Sequence, residues 1–357
     1  MITRINRPMG CGVIGYGYWG PNIVRNVLES SELRLLGLCE TDHRRAKEFE
    51  RRYPGIPVTA QLDELLLDPR VEAVMIATPP ATHHALAQRA LDAGKHVLVE
   101  KPLAMSVVEA EDLIAQAQSA ERVLMPGHTF LYSPPVDKIR ELINSGQLGE
   151  IYFVTSCRMN LGLYQDGGVI LDLAPHDLSI LLYWLDSPVV QVSAAAQSVF
   201  QSGIHETAFL TVDFANEATA NVQVSWLAPR KVRQMVVVGS RQMVQYDDAA
   251  ADDVVRIYDR GMEFESPSSF GEYKLTYRSG DMVAPRIAAA EPLALELADF
   301  ARAIRTGEPP RSDAQLGLEV VRALEAAHAS LDSGGMPVQR EAEYPTGDGF
   351  SDELSVA

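Results

Sequence analysis

The sequence predicts an α/β protein in two parts: a doubly wound parallel sheet, then an α+β unit built on a mostly antiparallel sheet. Three observations predict it. From residue 10 to about 126, apolar runs alternate with helix-length amphipathic stretches, the grammar of strand–helix–strand units. Those runs are continuous rather than alternating with polar residues, as in strands buried on both faces. Beyond about residue 130, strand-like runs follow one another with little helix between them. At 357 residues the chain also exceeds one comfortable core. The expected division is 1–126, 127–340 and a tail at 341–357.

In chain order, "CGVIG" reads as a strand and "WGPNIVRNVLES" as the helix after it. "LRLLGLCE" is the next strand, followed by the charged helix "DHRRAKEFERRY". "VEAVMIAT", "KHVLVE" and "ERVLMPG" are further strands, separated by "THHALAQRALDAG" and "SVVEAEDLIAQAQSA". The second part opens with a glycine-closed helix, "PPVDKIRELINSG", then the strand "EIYFVTSCRMN" and the helix "DLAPHDLSILLYWL". Six strand-like runs follow, from "VQVSAAAQSVF" to "VVRIYD", and then the helices "PLALELADFARAIRTG" and "DAQLGLEVVRALEAAHASLDSG". The terminal "REAEYPTGDGFSDELSVA" is polar, acidic and aperiodic, so a mobile tail is expected.

Composition narrows the function. A formal net charge of −17 argues against nucleic acid and anionic membrane surfaces, which call for basic patches. It leaves room for a phosphorylated small molecule, since local arginines and helix N-termini can bind phosphate. The longest apolar runs are too short to cross a bilayer, and no basic segment followed by an apolar one opens the chain. Cys11, Cys39 and Cys157 lack metal-type spacing; the first two fall in apolar strands and read as buried thiols. A cytoplasmic protein is the expectation.

The stretch "GVIGYGYWGPN" carries the first site. A lone G-x-G-x-x-G is weak, but here a strand precedes it, a helix follows, and Glu40 closes the second strand twenty residues after Gly20. Gly15 permits the tight turn, Gly17 lets backbone approach a pyrophosphate, and Gly20 lets helix and sheet pack closely. Pro21 suits the first helical turn, whose free N–H groups face phosphates. This is the Rossmann dinucleotide pattern, with Tyr16, Tyr18 and Trp19 interleaved in the loop. Glu40 can accept hydrogen bonds from ribose hydroxyls and repel a 2′-phosphate, which favours NAD, although Arg44 and Arg45 could serve NADP. A turn without ligand, or a methyltransferase loop, is the alternative.

Two segments go further. "GKHVLVEKP" ends a buried strand in Glu100, Lys101 and Pro102, and ligands in such sheets sit beyond the carboxyl ends of the strands. Lys101 is therefore aimed at the crevice, unless it is merely a surface lysine beside a turn. In "LDLAPHDLSILLYWL", Pro175 fits the first position of a helix, which puts His176 in the opening turn and Asp172 just before it. A helix N-terminus lowers a histidine pKa and favours neutral imidazole, the form that accepts a proton. An N-capping acid with a packed histidine, or a two-ligand metal fragment, are the other readings; no third metal ligand stands at recognisable spacing.

Together with "ATPPATHHALAQRALDAGKHVLVEKPL" and "GHTFLYSPPVDKIRELINSGQLGEIYFVTSCRMNLG", these motifs resemble the glucose–fructose oxidoreductase/inositol dehydrogenase/rhizopine-catabolism family (Gfo/Idh/MocA). The resemblance runs from about residue 10 to 340 and is most specific through residue 186. It implies a Rossmann domain joined to a C-terminal domain with a large open sheet. It also implies NAD or NADP as cofactor, a sugar or cyclitol hydroxyl as substrate, and homodimers or homotetramers. The version here looks closest to nucleotide-sugar 3-dehydrogenases, although Leu171 stands where a bulkier residue precedes the acid. Lys101 matches the family's EKP lysine, Asp172 and His176 its D-x-x-x-H pair, and His83 the histidine after its T-P turn.

The expected roles are His176 as base, Lys101 as the group steadying the reacting oxygen, and Asp172 orienting sugar or imidazole. Thr78, Pro79 and His83 are expected on the cofactor side with Glu100 and Lys101, although His83 could equally pack against its helix. Arg158 and Asn160, ending "IYFVTSCRMN", are candidates for substrate hydroxyls or phosphates. A glycosidase working through transient oxidation at carbon 3, or a nucleotide-sensing regulator, would use the same fold. No resident metal is expected.

Overall fold

The computed structural model describes residues 7–162, 167–265 and 274–340. The expected tail at 341–357 and the Tyr164–Asp166 part of the loop before Leu171 lie outside the described residues. The first sheet consists of β1 (Met9–Ile14), β2 (Leu33–Cys39), β3 (Val58–Thr59), β4 (Ala73–Ile76), β5 (His96–Glu100) and β6 (Leu124–Gly127). Its order is β3-β2-β1-β4-β5-β6 and every pairing is parallel. Residues of β1 and β4 are buried throughout, which is why their sequence runs are continuously apolar. The order reverses direction between β1 and β4, and that switch point opens the crevice for a ligand. The two-residue β3 and the helix Leu62–Leu66 are too short to show a period, so the sequence does not announce them.

The second sheet has nine strands: β7 (Ile151–Met159), β8 (Val189–Gln197), β9 (Thr207–Phe214), β10 (Thr219–Ser225), β11 (Val232–Gly239), β12 (Met243–Asp247), β13 (Val255–Glu265), β14 (Lys274–Val283) and β15 (Val338–Gln339). Their order is β14-β13-β12-β11-β7-β10-β9-β8-β15. All pairs are antiparallel except β7 with β10, which run side by side with Ser225 opposite Met159. The carboxyl ends of two central strands therefore meet at one edge of the sheet. The sequence did not reveal β14 or β15.

One face of this sheet is covered by the helices Gly168–Leu185 and Ala314–Asp332. The other face leaves Phe153, Thr155, Phe209 and Asn221 exposed. The Ala314–Asp332 helix also returns to the first sheet, where Leu318 and Val321 join a buried cluster with Ile76, Val99 and Leu113. A larger cluster is continuous from Val13 in β1 to Val222 in β10 and Phe300. The two sheets thus share buried side chains.

One expectation is corrected here. The helix that carries Asp172 and His176 begins at Gly168, seven residues before Pro175, and Pro175 lies inside it. A proline removes its own N–H and crowds the carbonyl four residues back, so the helix passes through with one hydrogen bond fewer. The resulting 18-residue helix is long and apolar enough to span a bilayer by length and composition, yet 67% of it is buried inside the fold. It is a core helix.

Candidate active site

The glycine turn is built as its spacing requires. Gly15 has φ of +93°, and a Cβ there would lie 2.6 Å from the Ala77 carbonyl oxygen. A Cβ on Gly20 would lie 2.4 Å from the carbonyl oxygen of Gly15, so the helix start and the turn touch backbone to backbone. Gly17 differs. Its missing side chain would meet nothing nearer than the Arg45 guanidinium at 3.6 Å, which leaves that side of the loop open to a ligand. The helix Gly20–Glu29 starts there with Pro21 in its first turn.

Glu40 is buried, and its two carboxylate oxygens accept the Tyr16 N–H at 2.6 Å and the Asp42 N–H at 2.7 Å. This acid fastens the glycine loop to the end of β2 while each oxygen keeps a further lone pair. Tyr16 points inward, its ring edge-on to Phe49 at 5.2 Å, so only its backbone belongs to the loop surface. Tyr18 is 82% exposed. The Trp19 indole sits beside Glu100, with its N–H buried and without a partner among the described residues.

On the neighbouring strand ends, Thr78 Oγ1 pairs with Thr82 Oγ1 at 2.7 Å, next to Pro79. His83 is fully buried, and its two ring nitrogens face the Pro102 carbonyl at 2.8 Å and the Thr78 carbonyl at 3.0 Å. Of the two readings of His83, the structure places it as a strut between these loops rather than at an open surface. Burial lowers its pKa. The Lys101–Pro102 peptide is cis.

Lys101 leaves the end of β5 and reaches the second sheet's helix. Its Nζ donates to the Asp172 main-chain oxygen at 2.6 Å and lies 3.4 Å from Asp172 Oδ1. Asp172 Oδ2 accepts the Trp226 indole N–H at 2.9 Å. Asp172 is therefore held between a lysine from one sheet and a tryptophan from the other. His176, one turn further along the same helix, packs edge-on against Phe130 at 4.9 Å, and its Nδ1 is sealed without a partner among the described residues.

The pKa of His176 lies well below the ordinary histidine value, first from burial and then from the charges of Lys101, Arg158 and Arg233 with His128 nearby. This replaces the expected cause. The helix N-terminus is two turns away, and the effect of a macrodipole fades within the first turn. Burial among cations does the same work.

Arg158 is buried, and its Nε and Nη2 grip both oxygens of the buried Asp177 at 2.9–3.1 Å. Its guanidinium also lies 4.4 Å from the Phe130 ring centre. It supports the floor under His176 rather than standing free for a ligand. Asn160 is half-buried just past β7, with its N–H on the Ser225 carbonyl at 3.1 Å.

Behind Lys101 lies a set of enclosed polar groups that sequence reasoning did not find. His128 is buried with neither ring nitrogen partnered among the described residues; burial and Lys101 push its pKa down to about 3. Burial pushes the Glu100 carboxyl up to about 7 against the pull of Lys101, and its Oε1 is sealed and unpartnered. Glu296 is fully buried, accepts the Thr129 hydroxyl at 2.7 Å, and is raised well above the carboxylate range by burial and by Glu100. His128 and Thr129 sit in the quoted "GHTFLY", but nothing in their spacing distinguishes a buried group from a turn. No cluster able to hold a metal occurs among the described residues.

A dinucleotide turn facing an ammonium, a carboxylate and a neutral imidazole suits hydride chemistry at a hydroxyl-bearing carbon, and the comparisons agree on the class. Residues 9–128 match a family model described as "Oxidoreductase family, NAD-binding Rossmann fold". Residues 136–245 match the "GFO/IDH/MocA C-terminal domain". The chain belongs to the Gfo/Idh/MocA family of oxidoreductases, and like its relatives it is an NAD(P)-dependent enzyme of the sugar and cyclitol dehydrogenase class.

UDP-N-acetylglucosamine 3-dehydrogenase of Acidithiobacillus ferrooxidans is 29% identical over 88% of this chain and 95% of its own length. Its solved structure superposes with a TM-score of 0.76 over 91% of this chain and 98% of that one. A dehydrogenase of 1-carboxy-3-chloro-3,4-dihydroxycyclohexa-1,5-diene from Comamonas testosteroni is 31% identical over 62% of this chain, spanning 58% of that relative. GenD2 from gentamicin A biosynthesis, solved with NAD, is 26% identical with a TM-score of 0.79 over 94% of this chain and 97% of that one.

Proposed function

We propose that this protein is an NAD-dependent dehydrogenase of a secondary hydroxyl on a sugar, with a nucleotide-linked hexosamine or its uronate as the favoured substrate. Residues up to about 126 hold the cofactor, and residues 127–340 hold the substrate. The carrying observation is the contact of Lys101 with Asp172, one helical turn from a histidine that its surroundings keep neutral. NAD fits the loop because Gly17 leaves the approach open and Glu40 stands at the end of β2. When bound, the dinucleotide supplies the hydride acceptor.

The residues do the rest. His176 takes the hydroxyl proton in oxidation and returns it in reduction. Lys101 turns from the Asp172 carbonyl to the reacting oxygen and stabilises its developing charge. Asp172, held by Trp226, orients the sugar. Arg158 and Phe130 hold the imidazole in place and supply part of the field that keeps it unprotonated. The similarity to UDP-N-acetylglucosamine 3-dehydrogenase over nearly the full length favours a nucleotide sugar.

The test pairs kinetics with binding. His176→Ala and Lys101→Ala should each lower turnover by roughly 10²–10⁴-fold while NAD affinity, read by fluorescence titration, is retained. Undiminished turnover in either variant rejects that residue's role. A screen of nucleotide sugars, free hexoses and inositols with NAD and NADP identifies the substrate class. Net accumulation of reduced cofactor separates a dehydrogenase from a glycosidase that recycles it.

A further inference from the structure

An open groove of about 400 Å³ lies beside the site, lined by Leu161, Gly162, Phe200, Gln201, Trp226 and Leu227. Its size falls within the range of small-molecule pockets. It forms where the parallel strands β7 and β10 end together, and the Gly162 N–H donates to the Trp226 carbonyl at 3.3 Å to join its two walls. A side chain at Gly162 would strike Trp226 Cδ1 at 2.9 Å, so the groove edge runs directly along the indole. The Nε1 of that same indole donates to Asp172. An occupant of the groove is separated from the catalytic carboxylate by the width of one tryptophan.

Leu161 and Phe200 are 82% and 74% exposed. Single exposed apolar residues are ordinary on protein surfaces, but Phe200 is held in place. Glu206 is completely buried and accepts the N–H groups of Val199, Phe200 and Gln201 at 2.5, 3.1 and 3.1 Å. Three consecutive amides on one buried carboxylate satisfy a charge that would otherwise be costly to enclose, and they fix the loop that presents the ring. Beyond Leu227 the chain continues to Arg230 and Lys231, both exposed and without an ion-pair partner among the described residues. In a chain of net charge −17 this is a pair of cations three and four residues past a lining residue.

We propose that this groove is a subsite for a flat ring carried on the substrate beyond the sugar being oxidised, stacked on Phe200 and bounded by Trp226. The ring is a nucleobase when the linkage is a diphosphate that Arg230 and Lys231 attract, or an aryl aglycone when it is neutral. This rests on the dehydrogenase reading above and adds the part of the substrate that the hydride chemistry does not touch.

The experiment uses the full chain saturated with NADH and measures calorimetric binding of three probes: UDP-N-acetylglucosamine, an aryl glycoside of N-acetylglucosamine, and free N-acetylglucosamine. A ring-bearing probe should bind at least tenfold more tightly than the free sugar. Phe200→Ala should erase about tenfold or more of that advantage, as loss of a stacked base does, and Phe200→Trp should keep it. Tight binding of the UDP probe that weakens with salt and with Arg230→Ala marks the nucleotide; tight, salt-insensitive binding of the aryl probe marks the aglycone. Equal affinity for all three probes, no binding of any, or an advantage untouched by Phe200→Ala overturns the subsite. Reduced-cofactor formation from any sugar in the screen would then still leave the dehydrogenase reading standing, so the two failures are separable.

Discussion

His176 shows how much of a residue's chemistry comes from its surroundings. Its identity as a candidate was legible from D-x-x-x-H, but its environment was misread, because Pro175 looks like a helix start in one dimension and proves to be interior. Burial first, and then the charges of Lys101, Arg158 and Arg233, hold the imidazole pKa well below the ordinary histidine value. A base whose pKa is depressed stays competent as pH falls through the usual histidine range. His176 should therefore add no limb to the kcat/KM profile for oxidation at the ordinary histidine value of about 6.5, where Glu100, beside Lys101 and raised to about 7, is the neighbour that titrates. An acid limb centred on the ordinary histidine value that persists in Glu100→Gln would remove His176 as the base. His128, Phe130 and Trp226 were not legible. Each matters through a contact with an element distant in the chain, and no periodicity records that.

At the scale of elements, the proposed catalytic row depends on how one helix is fastened. The Gly168–Leu185 helix brings Asp172 and His176 to one face because they are four apart. What orients that face is the Arg158–Asp177 pair, which ties the helix to β7 with both partners buried. Removing one partner strands the other charge in a dry interior. Asp177→Ala should cost about 3–5 kcal/mol of stability, visible as a lowered midpoint in denaturant unfolding, with Arg158 and Asp177 replaced together losing less. An unchanged midpoint for the single variant would show that the pair carries no such weight. The first-sheet elements were legible because each is a long run with one period. The paired ends of β7 and β10 were not, since parallel pairing across intervening strands leaves no local mark.

At the scale of the whole molecule, the helices packed on the nine-stranded sheet lie, among the described residues, on one face. Phe153 and Phe209 remain exposed on its other face, beside polar Thr155 and Asn221. A wide sheet face that includes exposed aromatic rings suits a symmetric contact with a second copy, in which the same patch meets itself. We propose a homodimer or homotetramer through this face. Light scattering should give a mass that is a multiple of 39.1 kDa, and Phe153→Glu with Phe209→Glu should return it to a single chain. A wild-type mass of one chain ends the proposal.

Local pattern by itself determined the class of this protein. Glycine spacing, the acid at the end of the second strand, and the E-K-P and D-x-x-x-H motifs are short-range signals, because turns, strand ends and helix faces obey rules that reach only a few residues. The tertiary structure alone decided that Lys101 meets Asp172, that Trp226 joins the carboxylate to the neighbouring groove, and that burial among cations lowers the His176 pKa. Those facts depend on desolvation and on charges brought together from Lys101 and Asp172, 71 positions apart in the chain. Only packing sets such distances.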